Sequence, residues 1–317
     1  MNAIRAKLLA GSVALIATLS LAAERVPGTK VTLDPPKGFA KSTQFPGYMM
    51  AETGASIMVS QIPGPIAEVA KGFTKEGLAK NGMNLLATKT VTTKTGKTTL
   101  YHVAQSARGT DYLKWMIAFG NEKETVLVVA TFPRKVADEW SEKLRKSVVG
   151  ARWDTSAAVG AFEGLTFRVS AQGNLKIAKT MGNNVILTPG GVFPQKNPDD
   201  PLALMGSSIT EDWEVPGDLE AFTRRRLLQA PIFKDVKISS TTRIAAGGLK
   251  GYLCRAELTH KDGGARLAVQ HALLFSKDGY YIFQAMCPVG EKAVYDPLFS
   301  GVLKSFKVVE AEGSPAR

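Results

Sequence analysis

The chain has 317 residues, two cysteines and a net charge of +12 at neutral pH. That length exceeds what one compact core holds and suits two domains. Two cysteines are too few for a disulfide-built scaffold, and the positive excess suits either an anionic surface or acidic partner, or plain solubility.

The N-terminus carries Arg5 and Lys7, then an apolar run from Leu8 to Leu21, then Ala22-Ala23. A basic start, a short apolar stretch and small residues at the end are the parts of a cleavable export signal. The run is shorter than the about 20 apolar residues that a membrane span needs. Cleavage is expected after Ala22 or Ala23, so residues 1–23 are read as the signal peptide and the mature protein as periplasmic or secreted. Two charges of the twelve, Arg5 and Lys7, leave with the leader, so +10 remains. An exported protein seldom meets nucleic acid, which argues against that partner.

Near the start of the mature chain stands Val31-Thr-Leu-Asp-Pro-Pro-Lys-Gly-Phe39. An apolar strand follows over Ala55–Ile62 and stops at Pro63-Gly64. Ile66, Val69, Ala70 and Phe73 then fall on one side of a helix over 66–80. Strands over 84–91, 98–107 and 112–119 come next. Phe119 to Pro133 reads as strand, polar turn, strand, proline. Trp140, Leu144 and Val148, four apart, give the closing helix one apolar face. Asp154–Gly160, small and polar, is the expected linker.

After the linker the order returns. Strands are expected at Val185-Ile-Leu187 and over 207–215, a break at Pro216-Gly217, and a helix over 218–229 with Leu219 and Phe222 inward. Strands over 234–240, 249–258 and 266–275 follow. Leu274 to Pro288 lies on Phe119 to Pro133 at an offset of 155, and the same offset carries Trp140, Leu144 and Val148 onto Tyr295, Phe299 and Leu303. Asp296-Pro297 has the composition of a helix start. The tail 310–317 is polar and is expected to be disordered. The chain therefore divides into 26–153, a linker over 154–160, and 161–309. The fold class is α+β: two tandem α/β/α sandwiches, each an antiparallel sheet flanked by helices.

One difference between the copies stands out. The offset rises from 137 (Tyr48 to Val185) to 152 (Ser56 to Ser208), an insertion of about fifteen residues in copy 2. It holds Pro189-Gly190-Gly191, Phe193-Pro194 and Asn197-Pro198-Asp199-Asp200-Pro201. A long loop of this kind inside a compact domain is either functional or a tolerated surface insertion. Phe193, Asp199 and Asp200 are the candidate binding residues.

The opening 31–39, the Ile62-Pro63 step into a helix and the closing 126–153 unit resemble the PsbP-like superfamily, which includes the photosystem II extrinsic subunit and the bacterial envelope protein DcrB. Both copies fit. The resemblance implies an antiparallel sheet covered by helices on both sides and a binding or assembly role, with no ligand residue to carry across.

Candidate chemistry is sparse. Lys94-Thr-Gly-Lys-Thr-Thr99 ends like a phosphate loop, but Val91 stands where the first glycine belongs, and the segment joins two strands; it is read as a hairpin turn. His102, His260 and His271 share no metal-ligand spacing, and His102 and His271 are read as half-buried structural residues. Cys254 and Cys287 fall on the first and third strands of a meander, roughly 10 Å apart, beyond disulfide reach, so two free buried thiols are expected. Glu211-Asp212-Trp213-Glu214 is a dense acidic cluster, but alternate strand residues face opposite ways, so a solvated strand end is preferred to a glycosidase pair. Asp199-Asp200 are too few for calcium. Arg224-Arg225-Arg226 cannot share one helix face and are read as solvated. No catalytic constellation, metal site or cofactor is expected. The reading is a non-catalytic exported binding or assembly protein of the bacterial cell envelope, with a protein or peptide partner. The alternatives are a hydrolase built on Glu211–Glu214 and a basic protein held at an anionic membrane surface.

Overall fold

The computed structural model describes residues 23–107, 109–209 and 213–309. Most of the segment expected to be a signal peptide (1–22), the expected tail, and Glu211 and Asp212 of the acidic cluster therefore lie outside the described residues. Among the described residues no helix is long and apolar enough to cross a membrane.

The first domain runs β1 (Glu24–Arg25), β2 (Val31–Leu33), β3 (Ala40–Lys41), β4 (Gly47–Met50), β5 (Ala55–Pro63), α1 (Ile66–Ala70), α2 (Lys75–Ala79), β6 (Met83–Thr93), β7 (Gly96–Ala107), β8 (Thr110–Gly120), β9 (Glu124–Pro133), α3 (Ala137–Gly150) and β10 (Arg152–Trp153). The second runs β11 (Phe167–Arg168), β12 (Leu175–Met181), β13 (Asn184–Pro189), β14 (Leu202–Ile209), α4 (Leu219–Leu228), β15 (Phe233–Ala246), β16 (Leu249–His260), β17 (Arg266–Ser276), β18 (Gly279–Pro288), α5 (Lys292–Lys304) and β19 (Lys307–Val308). Each domain has one seven-stranded antiparallel sheet. The strand orders β3-β4-β5-β9-β8-β7-β6 and β12-β13-β14-β18-β17-β16-β15 are the same order.

Both faces of each sheet are covered, because the central strands carry apolar residues on both sides. In the first domain, Ile57, Ile117, Val126, Val128 and Phe132 meet Trp140, Leu144 and Val148 of α3. On the opposite face, Val103, Met116 and Val129 meet Leu78 of α2 and Phe73. In the second domain α5 supplies Tyr295, Phe299, Val302 and Leu303 to one core, and Leu227 of α4 belongs to the other. A sheet apolar on both faces is stable only when both are covered, which is the layered arrangement expected.

Strand pairing corrects three of the expected boundaries. Ile57 pairs with Ala130, and Ala203 pairs with Ala285, which is 155 residues beyond Ala130. Ile57 therefore corresponds to Ala203, and the strand expected at 207–215 lies at Leu202–Ile209 instead. Their partners on the next strand are Tyr48 and Leu187. The offset is thus 139 on that strand and 146 on the next, an insertion of seven residues instead of fifteen. The remainder sits at the other end of β14. Two residues join Pro63 to Ile66, whereas nine join Ile209 to Leu219. Third, α5 begins at Lys292, with Pro297 inside it. Its entry copies that of α3, a 3-10 turn after a strand-ending proline, and tertiary repetition overrides the local start signal at the expense of one intrahelical hydrogen bond.

The domains touch along the segment 25–29. Arg25 Nη2 lies 2.8 Å from Glu163 Oε1, and the Gly28 amide donates to the same oxygen at 3.3 Å. Gly28 has φ +74, and a Cβ there would stand 2.7 Å from the Glu163 carbonyl oxygen, so the close approach needs glycine. Asn183 Nδ2 also donates to the Gln44 carbonyl.

The meander keeps the two thiols apart. Cys254 pairs with His271 and Cys287 with Ala268 on the strand between them. Positions 268 and 271 are an odd number apart, so the cysteines face opposite sides of the sheet. Cys254 joins the α4-side core and Cys287 the α5-side core. Both are free and buried. Burial, opposed in part by the Thr241 hydroxyl, holds the Cys254 thiol up, and burial pushes Cys287 to about 11. We expect two thiols per chain under denaturing, non-reducing conditions and almost no reaction with a thiol reagent in the native state at pH 7. A count of zero would show that the sheet does not hold them apart.

Candidate functional site

One of the two insertions that set the second domain apart from the first is the β13–β14 connection. It is a built loop with its own hydrogen bonds. Thr188 Oγ1 donates to the Val192 carbonyl at 2.9 Å, and Gln195 Nε2 donates to the carbonyls of Asp200 and Pro201 at 2.7 and 2.9 Å. Asn197 Oδ1 accepts from the Asp199 amide at 3.0 Å, closing a local turn of the kind asparagine favours. Phe193-Pro194 is a cis peptide.

The three candidate residues separate in role. Asp199 is buried, and its Oδ2 accepts from the amides of Gly264 and Ala265, both at 2.9 Å. It pins the loop to the turn between β16 and β17, and its Oδ1 is buried without a hydrogen-bond partner. Asp200, half-buried, accepts from the Asn197 amide at 3.2 Å. Phe193 is half-buried beside Val192, which is 64% exposed. The loop is thus fastened by polar contacts and exposes one apolar side chain, Val192. Asp199→Ala is expected to lower stability by about 1–3 kcal/mol, since it orphans two amides. Chemical denaturation measures this, and a cost under about 0.5 kcal/mol, the surface-substitution range, would show that the pin is not made.

The other insertion carries part of the acidic cluster. Glu214 is exposed and lies on no strand, so the strand-end reading of this segment is corrected. Trp213 turns inward into an aromatic group, 5.9 Å from Phe222 and 5.3 Å from Tyr280 between ring centroids. Arg225 and Arg226 lie 5.8 and 6.0 Å from the Phe222 and Tyr280 rings. Arg224 is half-buried and donates to Thr241 Oγ1 at 2.8 Å, so it faces the sheet and not the solvent. This group joins residues 213 to 280, a separation at which sequence spacing carries no signal.

The histidines differ from one another. His102 is half-buried and stacks on Trp115 at 3.9 Å, while burial, with a smaller contribution from Arg134, lowers its pKa. His271 is fully buried, at 1% exposure, which corrects the half-buried expectation. The Lys94-Thr95 segment is a hairpin turn, as its place between two strands required. Among the described residues no three His, Cys, Asp or Glu side chains are grouped to hold a metal ion.

No family model matches the chain, and no curated protein matches it. Similar solved structures exist. A cyanobacterial PsbP from Synechocystis is 11% identical over 49% of this chain and 99% of its own, with a TM-score of 0.29. LpqN, involved in cell envelope biogenesis of Mycobacterium tuberculosis, is 13% identical over 45% of this chain and 83% of its own, with a TM-score of 0.34. The type VI secretion immunity protein TplEi from Pseudomonas aeruginosa is 12% identical over 89% of this chain and 96% of its own, also at 0.34. These superpositions are loose, and the functional reading rests on the chain's own geometry.

Proposed function

We propose that this is an exported, non-catalytic binding or assembly protein of the bacterial cell envelope, whose partner is a protein or peptide held by the β13–β14 loop. The supporting observation is that loop itself. It occurs in one copy of a duplicated fold, is ordered by its own hydrogen bonds, is fastened by Asp199, and exposes Val192 beside the half-buried Phe193. Aromatic and aliphatic anchors on a rigid loop are what a protein-binding surface needs, because little entropy is lost on docking. The groups with the largest pKa displacements, His271, Cys287 and Tyr48, are buried among core side chains, whereas a working acid or base stands in a cleft.

The test replaces the loop between Pro189 and Pro201 with the first domain's short turn, Ala51-Glu-Thr-Gly54. A photo-crosslinker at Phe193 in the intact protein should capture one defined envelope partner. The graft, still folded, should lose it in affinity capture. Absence of any partner, together with hydrolytic activity lost in Asp212→Asn or Glu214→Gln, would replace this reading with the hydrolase.

A further inference from the structure

The first domain carries a basic cleft that the second domain does not. It lies between the Pro35-Pro36 segment, the hairpin turn at Lys94 and the C-terminal half of α3, with a volume of about 480 Å3. Lys37, Lys94, Lys143, Lys146 and Arg152 line it, with Asp34 the one acid among its lining residues. A second hollow of about 450 Å3 shares Lys94 and Lys146 and adds Arg145. Lys143 is paired with Glu139 at 3.2 Å and Arg145 with Glu142 at 2.7 Å. Lys37, Lys94, Lys146 and Arg152 make no ion pair among the described residues, and all four are exposed. Ala23 also lines the cleft, so cleavage after Ala22 would place the new α-amino group there.

Cations near a helix C-terminus have an ordinary explanation, the helix dipole. It does not cover this case, since α3 has no basic residue in its last turn and α5 has Lys304 there. α5 is the counterpart of α3 at the 155 offset, and it has Leu298, Ser300 and Gly301 where α3 has Lys143, Arg145 and Lys146. Strand pairing sets Arg168 against Lys307 as Thr32 is set against Arg152, an offset of 136 that brings Lys37 onto Gly173. A Cβ on Gly173 would stand 2.9 Å from Leu298 Cδ2, so this place is closed by packing. The hairpin tip that corresponds to Lys94 is Gly247-Gly248, with Gly247 against Phe306. Of the cleft's cations only Arg152 keeps a basic counterpart, Lys307. The fold therefore stands without this charge, and three separated elements bring it together in one copy only.

From this contrast we infer that the first-domain cleft is a binding site for a compact, multiply charged phosphate group. Four unpaired cations converging on a hollow suit a small polyanion better than an extended acidic peptide. Lysines bind phosphate as point charges, and several of them around one hollow neutralise a group that carries more than one negative charge. The group is either the headgroup of an anionic phospholipid or a soluble polyphosphorylated molecule. The site is independent of the second-domain loop.

The experiment uses the full chain without its leader, with tripolyphosphate in calorimetry and cardiolipin-containing vesicles, whose headgroup carries two phosphates, in flotation, against phosphatidylcholine vesicles. The variants are Lys94→Glu/Lys146→Glu, at two exposed positions, and a control of equal charge change, Lys234→Glu/Lys250→Glu, in the second domain. Tripolyphosphate affinity at about 50 mM salt, where screening is weak, should fall at least about tenfold in the first variant and stay within about twofold in the control. Lys37→Gln/Arg152→Gln serves as a second, milder pair and should also weaken binding. Flotation with cardiolipin that is lost in the first variant and competed by tripolyphosphate identifies the lipid source. Tripolyphosphate binding without flotation identifies the soluble one. Equal losses in the first variant and the control, no binding of either probe, or binding of polyglutamate in place of tripolyphosphate would overturn the inference.

Discussion

Acidification from pH 7 to pH 4 is expected to cost the second domain about 3 kcal/mol through one side chain, His271. The ring is fully buried on β17, where its Nδ1–H donates to Gln284 Oε1 at 3.2 Å and its Nε2 has no partner. Burial lowers its pKa from 6.5 to about 4; the Gln284 hydrogen bond opposes this in part, and Arg226 adds a smaller lowering. A base whose folded value lies below its unfolded one binds fewer protons in the native state. Stability therefore rises with pH across the window from about 4 to 6.5, is full above it and is lost below it. Carboxylates also respond to acid, so the test is a difference. The 155 offset places His271 on Met116, a buried apolar residue of the first domain. His271→Met should flatten the second domain's unfolding free energy over that window while leaving the fold intact at pH 7. Denaturant unfolding at several pH values measures this, and parallel profiles for wild type and variant would show that His271 does not titrate between the folded and unfolded states.

Truncating the helix that closes each sheet is expected to have a comparably large effect, confined to one domain. Phe299 is 1% exposed in the α5-side core and Leu144 is fully buried in the α3-side core. The 155 offset relates them. Phe299→Ala should cost about 3–5 kcal/mol and Leu144→Ala about 2–5 kcal/mol, since each leaves a cavity that a rigid sheet cannot fill. The cores are separate, and among the described residues the hydrogen bonds and ion pair between the domains run from Arg25 and Gly28 to Glu163 and from Asn183 to Gln44. Hydrogen exchange of Phe299→Ala should therefore lose protection over β12–β18 and keep it over β3–β9, with the reverse for Leu144→Ala. Limited proteolysis near 154–160 should release a folded first domain from the Phe299 variant. Loss of protection across both sheets from either substitution would mean one cooperative unit, and would overturn the proposed division at 26–153 and 161–309.

Several elements were legible in the sequence, for local reasons. The apolar runs of 124–133 and 279–288, the polar turns before them and the four-residue spacing of Trp140, Leu144 and Val148 are short-range patterns, and a second copy at the same offset repeats each of them. Two copies of one pattern reveal a fold more reliably than either alone, because chance similarity does not repeat in register. The turn at Lys94-Thr95 was legible for the same reason. Strand–turn–strand leaves no helix for a phosphate loop to open.

What the tertiary structure decided are the features that depend on partners distant in sequence. Ser208-Ile209 resembles Ser56-Ile57, but pairing with β18 sets Ala203 against the place of Ile57 and divides one apparent insertion into two. Asp199 looks like a free carboxylate in the sequence and is a pin, because the amides it holds lie 65 and 66 residues away. The cleft cations sit at 37, 94, 146 and 152 with no common spacing, and only the closure of α3 over the sheet gathers them. Sequence determined the repeating unit, because hydrophobic periodicity is encoded residue by residue. The structure alone decided where the two copies differ, because register and surface charge are set by which strands and helices come together in space.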